Sequence, residues 1–119
     1  RMRMQPMLES LLLVLDNLDM ALACPAETDE AKNLAIGVRM TRDQLLGALG
    51  GEDVQRIETS GEFDPNLHQA IQLVQDSGEE PGSIVGTLRT GFTWRDVVLR
   101  SAQVHVAAEP KEAETTEEA

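Results

Sequence analysis

The sequence predicts an α+β chain, with a helical region over residues 1–51, a small, mostly antiparallel β domain over 52–107 and an acidic tail over 108–119. Three observations carry this reading. Leucines recur at helical spacing from Leu8 to Leu22. From Glu52 onward, short β-branched runs alternate with Gly, Pro, Asn and Asp turn signals. The stretch from Glu109 to Ala119 then holds five acids and one lysine, the composition of a solvated, disordered end.

The first helix carries Leu8, Leu11, Leu12, Leu15, Leu18 and Leu22, while Met7, Leu13 and Val14 widen the apolar stripe well beyond one narrow face. Pro6 fits its first turn or marks a kink in a longer helix. Cys24-Pro25-Ala26-Glu27 ends it. Thr28 is placed to cap the second helix, with Asp29 and Glu30 set favourably against the dipole of its first turn. Leu34, Val38, Thr41, Leu45 and Ala48 form the stripe of this helix, and Gly50-Gly51 reads as its glycine stop. Two helices do not enclose a core, whereas four do. The economical solution is a homodimer in which two hairpins form a four-helix bundle; the alternative is that both helices pack on the β zone of their own chain.

Six short strands follow, near Val54–Glu58, Ile71–Val74, Ile84–Leu88, Phe92–Trp94, Val97–Leu99 and Gln103–Val106. Ser60-Gly61, Asp64-Pro65, Glu80-Pro81-Gly82, Thr90-Gly91 and Arg95-Asp96 separate them as turns. No helix of useful length interrupts the strands, which disfavours a parallel βαβ layout.

Charge and composition remove several function classes. The chain has 119 residues, with 10 Lys+Arg against 21 Asp+Glu and a formal net charge of −11. With no basic run, and with Phe63, Phe92 and Trp94 as its aromatics, it offers a nucleic acid neither an electrostatic footprint nor a stacking platform. One cysteine, Cys24, excludes an intrachain disulfide framework, and two histidines 37 residues apart give no structural metal site. No apolar run is long enough to span a bilayer, and no signal peptide is read at the N-terminus.

The chemistry is equally sparse. Phosphate-cradling motifs are absent, which argues against direct nucleotide binding. Cys24 or Ser60 with His68 would make a nucleophile–base pair, but neither sits in a supporting motif. Asp64 and His68, four apart, are read as a structural unit, a turn initiator beside a buried imidazole. The expectation is a protein that is not an enzyme and carries no cofactor and no metal.

Phe63-Asp64-Pro65-Asn66-Leu67-His68-Gln69-Ala70 matches the FDPxxHxA stretch of the GrpE family, nucleotide exchange factors of DnaK-type chaperones. Leu15 to Leu22 is similar to that family's LDNLxxAL, and Gly37 to Leu46 to its GVxMTxxQLL. Pro81 to Val85 resembles PGTVV, and Gly91-Phe92 with Val98 to Val106 resembles G[YF]…VLRxAxVxV. The motifs occur in the family's order across about positions 11 to 106. Three departures stand out. Only Arg1 to Pro6 precede the bundle helix, where the family has a long paired helix. Leu13 stands where proline is usual. Arg95-Asp96-Val97 replaces the usual Asn-Gly-Arg run, so Val97 takes the place of an arginine and the turn loses its easy source of positive φ.

The resemblance implies a dimer with a central four-helix bundle and a small β domain on each protomer. It implies a bacterial cytoplasmic co-chaperone, or alternatively one of an organelle matrix, that binds the chaperone's ATPase domain, opens its cleft and promotes ADP release. Leu88, Val97 and Val106 are then the expected chaperone contacts, and Gly37, Phe63, Asp64, Pro65 and His68 are structural motif positions. Leu8, Leu11, Leu15, Leu18, Leu22, Leu34, Val38, Thr41 and Leu45 are the expected bundle positions. Gly37, inside a helix, raises the expectation of a close approach by a neighbouring segment. The alternative function is a dimerisation and adaptor module without exchange activity.

Overall fold

The computed structural model describes residues 4–109, so the reading of the tail from residue 110 lies outside the described residues. The chain divides between Gln55 and Arg56 into a helical unit and a β unit. In the first, α1 runs Met4–Ala23 and α2 runs Asp29–Gly51. In the second, β2 is His68–Val74, β3 Ile84–Arg89, β4 Phe92–Trp94, β5 Val97–Arg100 and β6 Ala102–Ala107, while β1, Val54–Arg56, crosses the boundary. The fold class is α+β, and all six expected strands are present within a few residues of their predicted ends.

The start of α2 follows directly from its sequence. Thr28 is extended (φ −108°, ψ 163°), and its hydroxyl accepts from the Ala31 N–H at 3.1 Å, satisfying one of the helix's orphan donors. Asp29 and Glu30 occupy the first turn. The end of α2 differs from the expectation. The helix runs through Gly50 and Gly51, Glu52 is its cap, and the left-handed residue is Asp53 at φ 72°. The Glu52 N–H donates to the Leu49 carbonyl and the Asp53 N–H to Gly50, so the left-handed residue lies two positions beyond Gly51. Aspartate tolerates this region better than most residues, and the glycine pair is left in ordinary helical geometry.

Within the hairpin, Arg42 reaches from α2 to Asp19 of α1 at 3.3 Å. Leu8, Leu12, Leu15 and Leu49 are buried, whereas Met20, Leu34 and Met40 are each more than 60% exposed. The free Cys24 is exposed and lies at a shallow apolar pocket with Ala21, Pro25, Ala26 and Leu34.

The β unit holds a sheet in the order β2-β6-β3 and a β4–β5 hairpin. β3 runs antiparallel to β6, and β5 antiparallel to β4. β2 runs parallel to β6, with His68 opposite Ala102 and Val74 opposite Ala107. A parallel pair needs a long connection, and here that connection is β3, β4 and β5 rather than a helix. Ile57, Ala102, Val104 and Val106 form the core, with Phe63, Leu67 and Ile84 packed around them.

Gly91 is the tightest point of this unit. A Cβ added there would stand 2.3 Å from the Ala102 nitrogen and 2.7 Å from the Ser101 carbonyl carbon, both backbone atoms that cannot move aside cheaply. The Gly91 carbonyl also accepts from the Ile57 N–H at 2.9 Å. Only glycine lets these segments meet.

Candidate functional site

The Phe63–His68 segment is a knot of local hydrogen bonds. The Asp64 carboxylate accepts from the Asn66 N–H at 2.9 Å, an Asx turn, and the Asp64 carbonyl accepts from Leu67 and His68. His68, 6% exposed, sits between two backbone groups: Nδ1 accepts from the Asp64 N–H at 2.9 Å, and Nε2 lies 2.7 Å from the Glu58 carbonyl. That pattern fixes the neutral tautomer with hydrogen on Nε2. Phe63 packs its ring 5.9 Å from the imidazole. With both ring nitrogens occupied and the Asp64 carboxylate turned to Asn66, this segment positions a loop rather than offering a base.

The β4–β5 hairpin is buried at Phe92, Trp94 and Leu99 and exposed from Arg95 to Val98. Trp94 pairs with Val97, leaving a two-residue turn of Arg95 and Asp96. Arg95 takes φ 58°, a conformation that costs a non-glycine residue about 1 kcal/mol or more. Its guanidinium lies 5.1 Å over the Trp94 ring, a cation–π contact that offsets part of this cost. Two pairs further along, Arg100 stacks 5.7 Å over Phe92 and donates from Nε to the Thr90 carbonyl at 2.8 Å. Trp94 itself is 6% exposed, and its indole N–H is buried with no hydrogen-bond partner among the described residues. Asp96 is not in the positive-φ region, so the turn takes that conformation at its first central residue alone, a different type from the one Asn-Gly favours.

The three expected contact positions separate in space and in burial. Leu88 of β3 is 59% exposed and Val97 of β5 is exposed, on different sheets of the same unit. Val106 is 5% exposed and belongs to the core with Val104. Within the chain its side chain packs in that core, as Ala102, Val104 and Val106 all alternate inward along β6.

The expected bundle positions also divide. Leu8 and Leu15 are buried within the single chain; Leu11, Leu18, Leu22, Val38 and Leu45 are half-buried; Leu34 and Thr41 are exposed. The Thr41 hydroxyl donates to the Gly37 carbonyl at 3.0 Å, inside its own helix. Among the described residues no neighbouring segment approaches Gly37: a Cβ there would meet none of their atoms within 4 Å beyond its own helix backbone. Sequence reasoning did not single out Met20, Ile36 and Met40, which are half or more exposed. Their signal was available as apolar residues flanking the assigned stripes.

Among the described residues no group of three or more His, Cys, Asp or Glu side chains converges as a metal site, and no helix is long and apolar enough to cross a membrane. Comparison with known proteins gives a single answer. The family model described as GrpE matches residues 1–108. The chain is 42% identical over 106 residues to Protein GrpE of Parageobacillus thermoglucosidasius, covering 88% of this chain and 47% of that protein. It is 43% identical over 105 residues to Protein GrpE of Limosilactobacillus reuteri, covering 87% and 55%. Protein GrpE of Halalkalibacterium halodurans is 42% identical over 107 residues, covering 89% and 55%. The chain thus spans about half the length of the curated relatives it matches.

Proposed function

The chain belongs to the GrpE family, and from that premise we propose that it is a co-chaperone that acts as a nucleotide exchange factor for a DnaK-type chaperone. The observation that carries this reading is the family match across residues 1–108, joined to a β unit with a braced hairpin and exposed apolar side chains. Exchange of this kind needs shape rather than reactive groups. The protein binds the open form of the ATPase domain better than the closed form, and that difference in affinity shifts the population toward ADP release. Reciprocity makes tight nucleotide binding weaken the exchange factor in turn. A coupling of about 3 kcal/mol lowers ADP affinity by roughly two orders of magnitude.

In this reading Leu88 and Val97 touch the ATPase domain, while Val106 holds β6 in place beneath them. The helical hairpins of two copies pair as a four-helix bundle, covering Met20, Leu34 and Met40, and the dimer works in the bacterial cytoplasm. No bond is made or broken by the protein itself. The test is release of a fluorescent ADP analogue from a DnaK-type ATPase domain. Addition of the protein is expected to accelerate release, and Leu88→Lys with Val97→Asp to reduce the acceleration about tenfold without changing stability. No acceleration at saturating protein overturns the proposal.

A further inference from the structure

The two outer strands of the β2-β6-β3 sheet end in different ways. The outer side of β3 is occupied. The Ile84 N–H donates to the Gly61 carbonyl at 2.8 Å, Glu62 bridges Ser83, and the Thr87 hydroxyl donates to Thr59 at 2.9 Å. β3 also carries two register shifts and finishes in Arg89. These are the usual means of closing a sheet edge.

β2 has almost none of them. It is an outer strand of seven residues, with β6 on one side and no described strand on the other. Its sequence, His68-Gln-Ala-Ile-Gln-Leu-Val74, contains no proline, lysine, arginine or acid. Gln69 to Leu73 are all exposed, with Ile71 at 43% and Leu73 at 61%. The one irregularity is the register shift between Ala70 and Gln72, which makes Ile71 the extra residue. Among the described residues, a row of strand donors and acceptors flanked by apolar side chains is therefore left without a pairing strand.

The surroundings of β2 select its occupant. From Ile57 to Leu88 the chain has no lysine or arginine and six acids. Asp76, Glu79 and Glu80 follow the C-terminal end of β2 and are exposed. The Ala108 N–H donates to the Val74 carbonyl at 2.9 Å, which brings the exposed Glu109 close to the same end. A second copy of this edge would bring like charges together, whereas a cationic segment would find a complementary field.

The geometry points to β2 as a docking edge for an extended peptide, added as a further strand, whose apolar side chains meet Ile71 and Leu73 and whose basic residues lie at the Asp76–Glu80 end. The shift at Ile71 confines pairing to short runs on either side, so the complex is weak and reversible. This surface is separate from the hairpin and from Leu88, and the inference does not rest on nucleotide exchange.

The test uses the whole chain and a fluorescein-labelled decapeptide of alternating valine and threonine ending in two lysines. Anisotropy is expected to rise on binding, and amide hydrogen exchange of Gln69 to Val74 to slow. Ile71→Lys with Leu73→Lys, both at exposed positions, should weaken binding about tenfold with the circular dichroism spectrum unchanged. Asp76→Asn with Glu79→Gln and Glu80→Gln should weaken it severalfold and flatten its salt dependence. A peptide N-methylated at alternate residues should not bind. Exchange in the ADP-release assay should be unaffected by Ile71→Lys with Leu73→Lys, which separates this inference from the proposed function. Undiminished binding of the N-methylated peptide, or β2 amides that exchange equally fast with and without saturating peptide, would overturn it. So would sedimentation showing that Leu73→Lys dissociates the protein into monomers, because the edge would then belong to a second copy.

Discussion

The helical hairpin and the β unit are stabilised by different kinds of constraint. The β unit is closed by particular atoms: Gly91 pressed against the Ser101–Ala102 backbone, His68 bridging Asp64 and Glu58, and Ala102 and Val104 with no exposure at all. The hairpin has broad apolar surface instead, with Leu34 71% and Met20 67% exposed and an Arg42–Asp19 ion pair between its helices. One unit is fixed by particular local contacts, while the other leaves large apolar side chains exposed. A substitution should therefore act in the β unit through local geometry and in the hairpin through association.

Gly91→Ala gives the widest separation. It should destabilise the β unit by about 4 kcal/mol or more, seen as loss of slow amide exchange in β6. A native-like exchange pattern would break the contrast. His68→Leu should cost about 2–3 kcal/mol in chemical denaturation, because the Asp64 N–H and Glu58 carbonyl lose their shared partner. In the hairpin, Leu34→Lys with Met40→Lys should leave the unfolding midpoint of dilute protein nearly unchanged while weakening self-association about tenfold by sedimentation. Thr28→Ala should cost about 1 kcal/mol, since one helical N–H loses its cap. Gly37→Ala should raise stability by up to about 1 kcal/mol, as open space surrounds that position in the chain; a loss instead would place another segment against it.

Much of this architecture was legible in the residues, and the reasons are local. The cap at Thr28 was readable because hydroxyl and helix N–H are neighbours in sequence. The strands were readable because turn residues bound them, and the Asx turn at Asp64 because its donor lies two residues on. What sequence did not give was set at long range. The parallel pairing of β2 with β6 joins residues more than thirty positions apart, and no periodicity reports it. The close approach at Gly91 is invisible without its partner segment. The packing of Val106 with Ile57 and Ile84 likewise joins segments far apart in sequence. At the helix end, the Gly50-Gly51 pair suggested a stop two residues before the left-handed residue the chain uses, because Asp53 takes that conformation.

Trp94 is the sole indole of a chain without tyrosine, and it is buried in the β unit. Light absorbed at the red edge of the aromatic band is therefore emitted from one known place. With the guanidinium of Arg95 resting on its face, that emission should shift whenever the hairpin tip is displaced. The protein thus carries its own optical gauge of the surface proposed to meet the chaperone, with no dye attached.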